Sequence, residues 1–294
     1  MGDREAASAG EFSTTLAKHF DDLTKSEKRI AGYLRRNQDE AAFLAAGDLA
    51  DRLGLSEATV VRFARTLGYA SYPAMRAVLQ ENFRKRVTHS VRLRGRLDEL
   101  REAGDIFEKV TTTEIDYLTQ ALQTVDRDAL RRTAAAIMER ERIFVLGQGP
   151  SASLVHLLQL RLTRFGKQVI PLTATGRETL EPLLLMTERD LLFAIGFFDV
   201  NPMLQIALDH AAEKKCPVVL LTDTLGAVVG DKADIVLAAK RGPVSAFHSL
   251  TVPMTIINTL LLEIASEHLT PVTAHLDKLD RLRDRLRRTG DEER

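Results

Sequence analysis

The sequence predicts two folded parts, an all-α helix-turn-helix domain followed by an α/β domain with a doubly wound, five-stranded parallel sheet. Two short helical patterns meet at a glycine in residues 46–67, and five short apolar runs alternate with helical patterns between residues 142 and 267. Apolar runs separated by helices are typical of parallel strands that are covered on both faces. The length of 294 residues suits about two domains, and 45% hydrophobic content supplies two cores.

The first helical pattern carries an apolar stripe made of Ala46, Leu49, Ala50 and Leu53. Gly54 then ends this helix, and Ser56 can cap a second helix from Glu57 to about Leu67. We expect four residues of the second helix to face inward: Val60, Val61, Ala64 and Leu67. The predicted pair of short helices is a helix-turn-helix.

The outer face of the second helix has side chains that suit DNA recognition, namely Ser56, Glu57, Thr59, Arg62 and Arg65. An α-helix fits the major groove, and an arginine can make two hydrogen bonds to a guanine edge. The alternative, which spacing alone leaves open, is a helical hairpin with a solvated arginine face. The charge distribution favours double-stranded DNA as the partner, because residues 24–96 contain 15 Lys and Arg against 7 Asp and Glu in a chain of zero formal charge.

Further helices flank this pair. A capping box from Thr24 to Glu27 opens a helix that runs to about Arg36, and Pro73 opens another that runs to about Arg86. We predict a helix-turn-helix domain over 12–88, a helical linker over 89–125, the α/β domain over 126–268 and a charged C-terminal helix over 269–294. That last helix carries Leu276, Leu279, Leu282 and Leu286 on one side, and it either packs on its own domain or forms an oligomer contact.

In the α/β domain, a flavodoxin-like strand order 2-1-3-4-5 brings three segments around one crevice at the carboxyl edge of the sheet. These segments are Gly147–Ser153, Gly196–Asn201 and Thr222–Thr224. The first contains Gly147, Gly149 and Ser151 after an apolar strand and formally matches the dinucleotide fingerprint. Residues 168–176 contain no carboxylate for a ribose, so we expect no cofactor. The backbone N–H groups of this glycine turn and the start of the following helix can bind a small anion. The alternative is that the turn only joins the strand to the helix and binds no ligand.

No catalytic constellation and no metal site is expected. We expect His156, His210, His268 and His275 to be surface or packed side chains without Cys or carboxylate neighbours at metal-ligand spacing. Only His248, in a loop before the last long apolar helix, is a candidate for the crevice. The single cysteine, Cys216, lies in an apolar run and is expected in the core. We expect a cytoplasmic protein with no membrane span, because no apolar run approaches about 18 residues.

Four stretches of the N-terminal half together resemble the RpiR-type bacterial transcription regulators, which join a helix-turn-helix to a sugar isomerase (SIS) domain. They are Leu23–Ile30, Ala50–Gly54, Ser56–Phe63 and Leu67–Tyr72. In the C-terminal half, Gly147-x-Gly149-x-Ser151 resembles the first SIS motif, and Leu221-Thr222-Asp223 resembles the turn after the fourth strand. The resemblance implies DNA contacts that include Tyr72 and an effector site that includes Thr222.

The sequence departs from the family at one loop. SIS domains that bind a sugar phosphate usually have Ser-x-Ser-Gly-x-Thr after the third strand, whereas this chain has Gly196-Phe-Phe198-Asp199-Val-Asn201. A carboxylate at Asp199 would repel a phosphate, so the altered loop disfavours a phosphosugar. We assign Gly196, Phe198, Asp199 and Asn201 to the effector site.

The resulting hypothesis is a homodimeric or homotetrameric DNA-binding regulator that senses a sugar or sugar-phosphate-like metabolite. Two alternatives stay open. One is an SIS-type sugar-phosphate isomerase, and the other is a DNA-binding protein whose SIS domain only dimerises.

Overall fold

The computed structural model describes residues 18–37, 41–86, 105–197, 200–223, 225–242 and 249–292, together with Phe12, Thr15, Leu16, Leu93 and Leu97. The described residues fall into two compact units. One lies within Met1–Ile115 and Arg241–Ser249, and the other within Asp116–Lys240 and Leu250–Arg294. The four domain bounds given above stay predictions.

The first unit is helical. After a short 3-10 turn, Phe20–Asp22, four helices follow: α1 Lys25–Arg36, α2 Ala46–Leu53, α3 Glu57–Thr66 and α4 Tyr72–Arg86. The predicted capping box is present, with Thr24 and Glu27 bonded to each other's backbone N–H groups. Gly54 ends α2 in the left-handed conformation with a φ of 59°, which a glycine adopts without strain.

The core of this unit is formed by apolar residues of α1 to α4, including Ile30, Leu34, Leu49, Val60 and Met75. One prediction for α3 is wrong. Phe63, which the pattern left out of the inner face, is fully buried, whereas Val61 is only half-buried. The inner face is therefore rotated slightly toward Phe63, and Ala64 and Leu67 are buried as predicted.

The second unit alternates helices and strands. Helix α5, Ile106–Thr124, runs from the first unit into the second. The helices that follow it are α6 Arg127–Glu139, α7 Ala152–Arg164, α8 Pro202–Lys214, α9 Gly226–Val229, α10 Thr251–Glu267 and α11 Leu269–Glu292. The strands of this unit are β1 Arg142–Leu146, β2 Gln168–Leu172, β3 Leu191–Ile195, β4 Val218–Thr222 and β5 Ile235–Ala238. All pairs are parallel, and the order β2-β1-β3-β4-β5 confirms the prediction.

The sheet has an apolar core on each face. Alternate strand residues such as Val145, Phe193 and Leu221 join α6, α7 and α10 on one face. Their neighbours, such as Phe144, Ala194 and Leu220, join α8 on the other. Because β3 and β4 are buried along their full length, the sheet is a central layer between two layers of helices.

The alternation of strands and helices also predicts a helix over Glu178–Met186 after the second strand, but this stretch forms no α-helix. The chain instead forms two 3-10 segments, Arg177–Thr179 and Glu181–Leu185. Pro182 lacks an amide N–H and so cannot donate to the carbonyl of Glu178, as an α-helix over this stretch requires.

The charged C-terminal helix, α11, is present, and the exposure of its leucines changes along its length. Val272 is buried and Leu276 packs against the core, whereas Leu282 and Leu286 are exposed. No described helix is both long and apolar enough to cross a membrane.

Candidate DNA-reading helix and effector crevice

Hydrogen bonds among three side chains hold the first turn of α3 and the start of its outer face. The Ser56 Oγ accepts a hydrogen bond from the Thr59 N–H at 3.3 Å and caps the helix, and the two hydroxyl oxygens lie 2.8 Å apart. The Arg62 Nη2 donates to Thr59 Oγ1 at 3.2 Å. Glu57, Arg62 and Arg65 are exposed. The structure therefore leaves Glu57, Arg62 and Arg65 accessible, and Ser56 and Thr59 take part in the hydrogen bonds of the first turn.

Tyr72 does not share that face. Its side chain is 2% exposed, and its hydroxyl donates to the Leu44 carbonyl at 3.0 Å. Burial raises the pKa of Tyr72 to about 12. The expectation that Tyr72 reaches DNA is corrected, because its ring is part of the core that supports the helix pair.

Helix α1 binds both members of the helix pair, a role that the local pattern did not reveal. The Arg29 Nη2 donates to the Leu53 carbonyl at 2.6 Å, at the end of α2. At the end of α3, the Thr66 Oγ1 donates to Glu27 Oε1 at 2.8 Å. Burial raises the pKa of Glu27, but the bonds from Thr24 and Thr66 and the positive charge of Arg62 outweigh it, and the net pKa is lowered. The capping box was the only sequence signal at Glu27.

In the second unit, the turn after β1 lies against the start of α7. The Gly147 N–H donates to the Leu172 carbonyl at 3.2 Å. A Cβ at Gly147 would lie 2.8 Å from Val155 Cγ2 and 3.2 Å from the Ser151 carbonyl oxygen, so only glycine fits without movement. Gly149 has a φ of 56° and starts a 3-10 turn that ends at Ser151. The glycines therefore hold Ser151 at the carboxyl edge of the sheet, directly before α7.

The neighbouring strands bring three further predicted residues to the same edge. Gly196 directly follows β3, and its N–H donates to the Leu221 carbonyl at 3.1 Å. Asn201 caps α8, because its Oδ1 accepts from the Leu204 N–H at 2.9 Å. Thr222 is buried at the end of β4, and its Oγ1 accepts from the Leu225 N–H at 3.1 Å. The side chains of Asn201 and Thr222 thus hold the loops that follow β3 and β4.

The remaining residues assigned to the crevice cannot be placed: Phe198, Asp199, Thr224 and His248 lie outside the described residues. Two other histidines of this unit lie within hydrogen-bond distance of backbone carbonyls. His156 Nδ1 lies 2.7 Å from the Ala152 carbonyl oxygen, and His210 Nε2 lies 3.0 Å from that of Leu183. Within the described ranges, no group of three or more His, Cys, Asp or Glu could hold a metal ion. Cys216 is buried, and burial raises the pKa of its thiol to about 12.

Comparison with known families decides the identity of the two parts. Residues 11–86 match the model of the rpiR-family helix-turn-helix domain, and residues 136–263 match the model of the SIS domain. The N-terminal part is an rpiR-family helix-turn-helix domain, and the C-terminal part is an SIS domain. The protein is therefore a helix-turn-helix transcriptional regulator with an SIS domain, as the sequence motifs implied.

Individual relatives agree with the family. The chain is 27% identical over 203 residues to the uncharacterized HTH-type transcriptional regulator YfhH of Escherichia coli (strain K12), covering 66% of this chain and 69% of YfhH. The sugar isomerase domain of an RpiR transcription factor from Sphaerobacter thermophilus is 28% identical, with a TM-score of 0.55, and it covers 59% of this chain and 97% of that domain.

A full-length structure extends the likeness in fold over both parts. The Vibrio vulnificus NanR protein, complexed with ManNAc-6P, is 24% identical with a TM-score of 0.64. The match covers 93% of this chain and 98% of NanR. The fold of this regulator is thus shared with NanR along nearly the whole chain.

Proposed function

We propose that this regulator binds operator DNA as a homo-oligomer and reads bases with the exposed face of α3. The observation that carries the proposal is that Arg62 and Arg65 are exposed on a helix whose first turn is capped by Ser56. The net positive charge of residues 24–96 supplies attraction to phosphate. A homo-oligomer would present two such helices to a palindromic site.

Mobility shift with the DNA upstream of the protein's own gene tests this proposal. Arg62→Ala should weaken specific binding by about 1–3 kcal/mol and relax the preference at one base position, as expected for an arginine that reads a base edge. Arg131→Ala is a matched control, because Arg131 is an exposed arginine on α6 in the other unit. Equal affinity of both variants and the wild type, with the fold intact, would overturn the assignment of α3.

We further propose that the SIS domain binds a small sugar derivative at the carboxyl edge of the sheet. Ser151 and the amide groups after Gly149 would bind a polar or anionic group at the start of α7. The ManNAc-6P in the NanR complex supports a carbohydrate ligand for this chain. The carboxylate of Asp199 favours a hydroxyl or amine donor over a second anionic group. We therefore propose a sugar that carries little negative charge over a simple phosphosugar.

Calorimetry with pairs of ligands that differ only in a phosphate group compares the binding of sugars with that of sugar phosphates. N-acetylmannosamine and its 6-phosphate differ only in the phosphate, and so do glucose and glucose 6-phosphate. Binding of an uncharged member with little binding of its phosphate would support the proposal, and tight binding of the phosphate would overturn its charge preference. Each ligand is then added to the mobility shift, since an effector must change the affinity for DNA.

The competing activity is aldose–ketose isomerisation in the SIS domain. We propose that this domain binds its ligand without converting it, because the family model and the named relatives describe regulators. Proton NMR of each sugar and sugar phosphate incubated with the protein tests this. Appearance of the isomeric ketose at a rate above that of a Ser151→Ala variant would contradict the proposal.

A further inference from the structure

A cavity lies at the amino edge of the sheet, opposite to the edge where the effector crevice is predicted. Its volume is about 460 Å³, within the roughly 300–1,000 Å³ of small-molecule sites. The lining comes from the end of α8, the start of β4, the 3-10 turn Gly230–Lys232 with the residues that follow it, and the residue after α6. None of the described crevice residues lines this cavity.

The residue after α6 is Arg140, and its guanidinium has donors without acceptors. Its Nη1 donates to the Glu188 carbonyl at 3.1 Å. Its Nε is shielded from solvent and has no hydrogen-bond partner in the described structure. The neighbouring Arg142 uses its Nε and Nη2 to bind both carboxylate oxygens of Asp190, each at 2.8 Å. The same edge of Arg140 binds no carboxylate of the described residues, so an oxyanion in the cavity would supply the missing acceptor.

A second cation of the lining, Lys215, directly follows α8. Within the described ranges it is the one non-glycine residue with a positive φ, at 56°. Glycine is the usual residue at such a position, because a side chain there strains the backbone. The ammonium group of Lys232 binds Asp209 at 2.6 Å, whereas that of Lys215 has no ion pair or hydrogen bond with the described residues. A strained residue with an unpaired charge beside a cavity indicates a ligand-binding role.

Two carboxylates restrict the ligand further. Asp231 and Asp234 line the same cavity, and both are exposed. Asp234 Oδ2 accepts from the Val218 N–H at 2.7 Å. A carboxylate repels a second anionic group, and it can accept a hydrogen bond from a hydroxyl. The lining therefore favours a ligand with one anionic group and several hydroxyl groups.

We propose that this cavity binds a small hydroxycarboxylate, with its carboxylate on the Arg140 guanidinium and the Lys215 ammonium. The planar edge of an arginine matches the two oxygens of a carboxylate. A monoanion suits the cavity better than a phosphate dianion, because Asp231 and Asp234 add negative charge. The proposal is independent of the effector crevice and gives this regulator a second small-molecule ligand.

Calorimetry with D-gluconate and D-sorbitol, on the full-length protein at constant ionic strength, tests the site. The two ligands share an open chain of hydroxyl groups, and only gluconate has a carboxylate. Lys215→Gly and Arg140→Gln should each raise the dissociation constant for gluconate about tenfold or more, the loss expected for a hydrogen bond to a charged group. Lys215→Gly also removes the backbone strain, so this variant keeps the fold. Lys214→Gln is the matched control, because Lys214 is an exposed cation that does not line the cavity.

NMR locates the ligand without a change of sequence. The chain has one cysteine, Cys216, which lines the cavity next to Lys215 and donates its N–H to the Ala211 carbonyl at 2.9 Å. Isotopic labelling of cysteine nitrogen therefore gives a single amide signal at this site. Gluconate should shift that signal in the wild type and not in Lys215→Gly, and sorbitol should leave it unchanged.

The variants also separate this site from the crevice. Gluconate binding that Ser151→Ala leaves unchanged and Lys215→Gly weakens supports the proposal. Binding that is lost in Ser151→Ala and unchanged in Lys215→Gly would place the carboxylate in the effector crevice and overturn the amino-edge site. Equal weakening by Lys214→Gln, an equal shift with sorbitol, or neither heat nor shift with millimolar gluconate would overturn it as well. None of these results affects the test of DNA reading by Arg62→Ala.

Discussion

The carboxylate of Glu27 connects the start of α1 to the end of α3: it accepts from the Thr24 hydroxyl at 2.7 Å and from the Thr66 hydroxyl at 2.8 Å. Glu27 is therefore both part of the cap of α1 and an anchor of α3. Because Thr66 is the last residue of α3, loss of this bond would free the end of the helix opposite to the Ser56 cap.

Thr66→Val should destabilise the helical unit by about 1.5–3 kcal/mol, the range for a hydrogen bond to a charged group. Amide exchange within α3, measured in the full-length protein, reports this change locally. Thr113→Val is the matched control, because the Thr113 hydroxyl donates only to the Lys109 carbonyl of its own helix. Equal changes in exchange near both sites would contradict the anchoring role.

The Glu27 anchor also predicts a dependence on acid. Its pKa in the folded state is lowered from 4.5, so its stabilising contribution is present above that pH and is lost as pH falls through the folded-state pKa. Glu27→Gln should lower stability at pH 7, and the difference from the wild type should shrink as the pH falls below 4.5 and through the folded-state pKa. Denaturant titrations between pH 3 and 7 measure it. A difference that stays constant across this range would exclude ionisation of Glu27 as the cause.

Arg142→Ala should be strongly destabilising. The Arg142 Nε and Nη2 donate to the two carboxylate oxygens of Asp190, each at 2.8 Å, and Asp190 is 0% exposed. Removal of the arginine leaves a buried charge without its partner, at a cost of about 3–5 kcal/mol. Arg189→Ala breaks an exposed pair with Glu141 and should cost less than about 1 kcal/mol. Urea denaturation compares them, and similar losses would contradict the buried-pair argument.

Gly147→Ala should disturb the turn that holds Ser151. The added methyl group would lie 2.8 Å from Val155 Cγ2, so α7 or the turn must shift. We expect a loss of about 1–3 kcal/mol in unfolding free energy and weaker effector binding. Gly32→Ala is the control, because its Cβ would meet only the end of Arg36 at 3.8 Å within α1. Unchanged stability would show that the turn tolerates a side chain.

Asp199→Ser should improve the binding of a phosphosugar by removal of a like charge, while Ser151→Ala should weaken any ligand of the crevice. Calorimetry with glucose 6-phosphate and with N-acetylmannosamine 6-phosphate measures both effects. Tight binding of either phosphate to the wild type would show that Asp199 does not repel it. Ligand binding that does not respond to Ser151→Ala would move the effector site elsewhere.

Much of the architecture could be predicted because it depends on local patterns. The strands begin and end within one or two residues of the apolar runs, and the order follows from the alternation with helices. Contacts between distant residues left no such pattern. The buried Tyr72 donates a hydrogen bond to the carbonyl of Leu44. The hydroxyl of Thr66 donates to the carboxylate of Glu27, which lies 39 positions earlier in the sequence. At the crevice, sequence located the strand ends correctly, but the capping bonds of Asn201 and Thr222 depend on loop geometry.

The strand order has a consequence for how the chain is made. β1 pairs with β2 and then, on its other edge, with β3, and β4 and β5 each join the strand that precedes them. Until α10 is synthesised, one face of this growing sheet lacks Ile257, Leu260 and Ile264, which complete its core. A ribosome that stalls before Thr251 would therefore release a chain with an uncovered apolar sheet, a species prone to aggregate. The residues from Thr251 onward therefore decide whether this face of the sheet is covered.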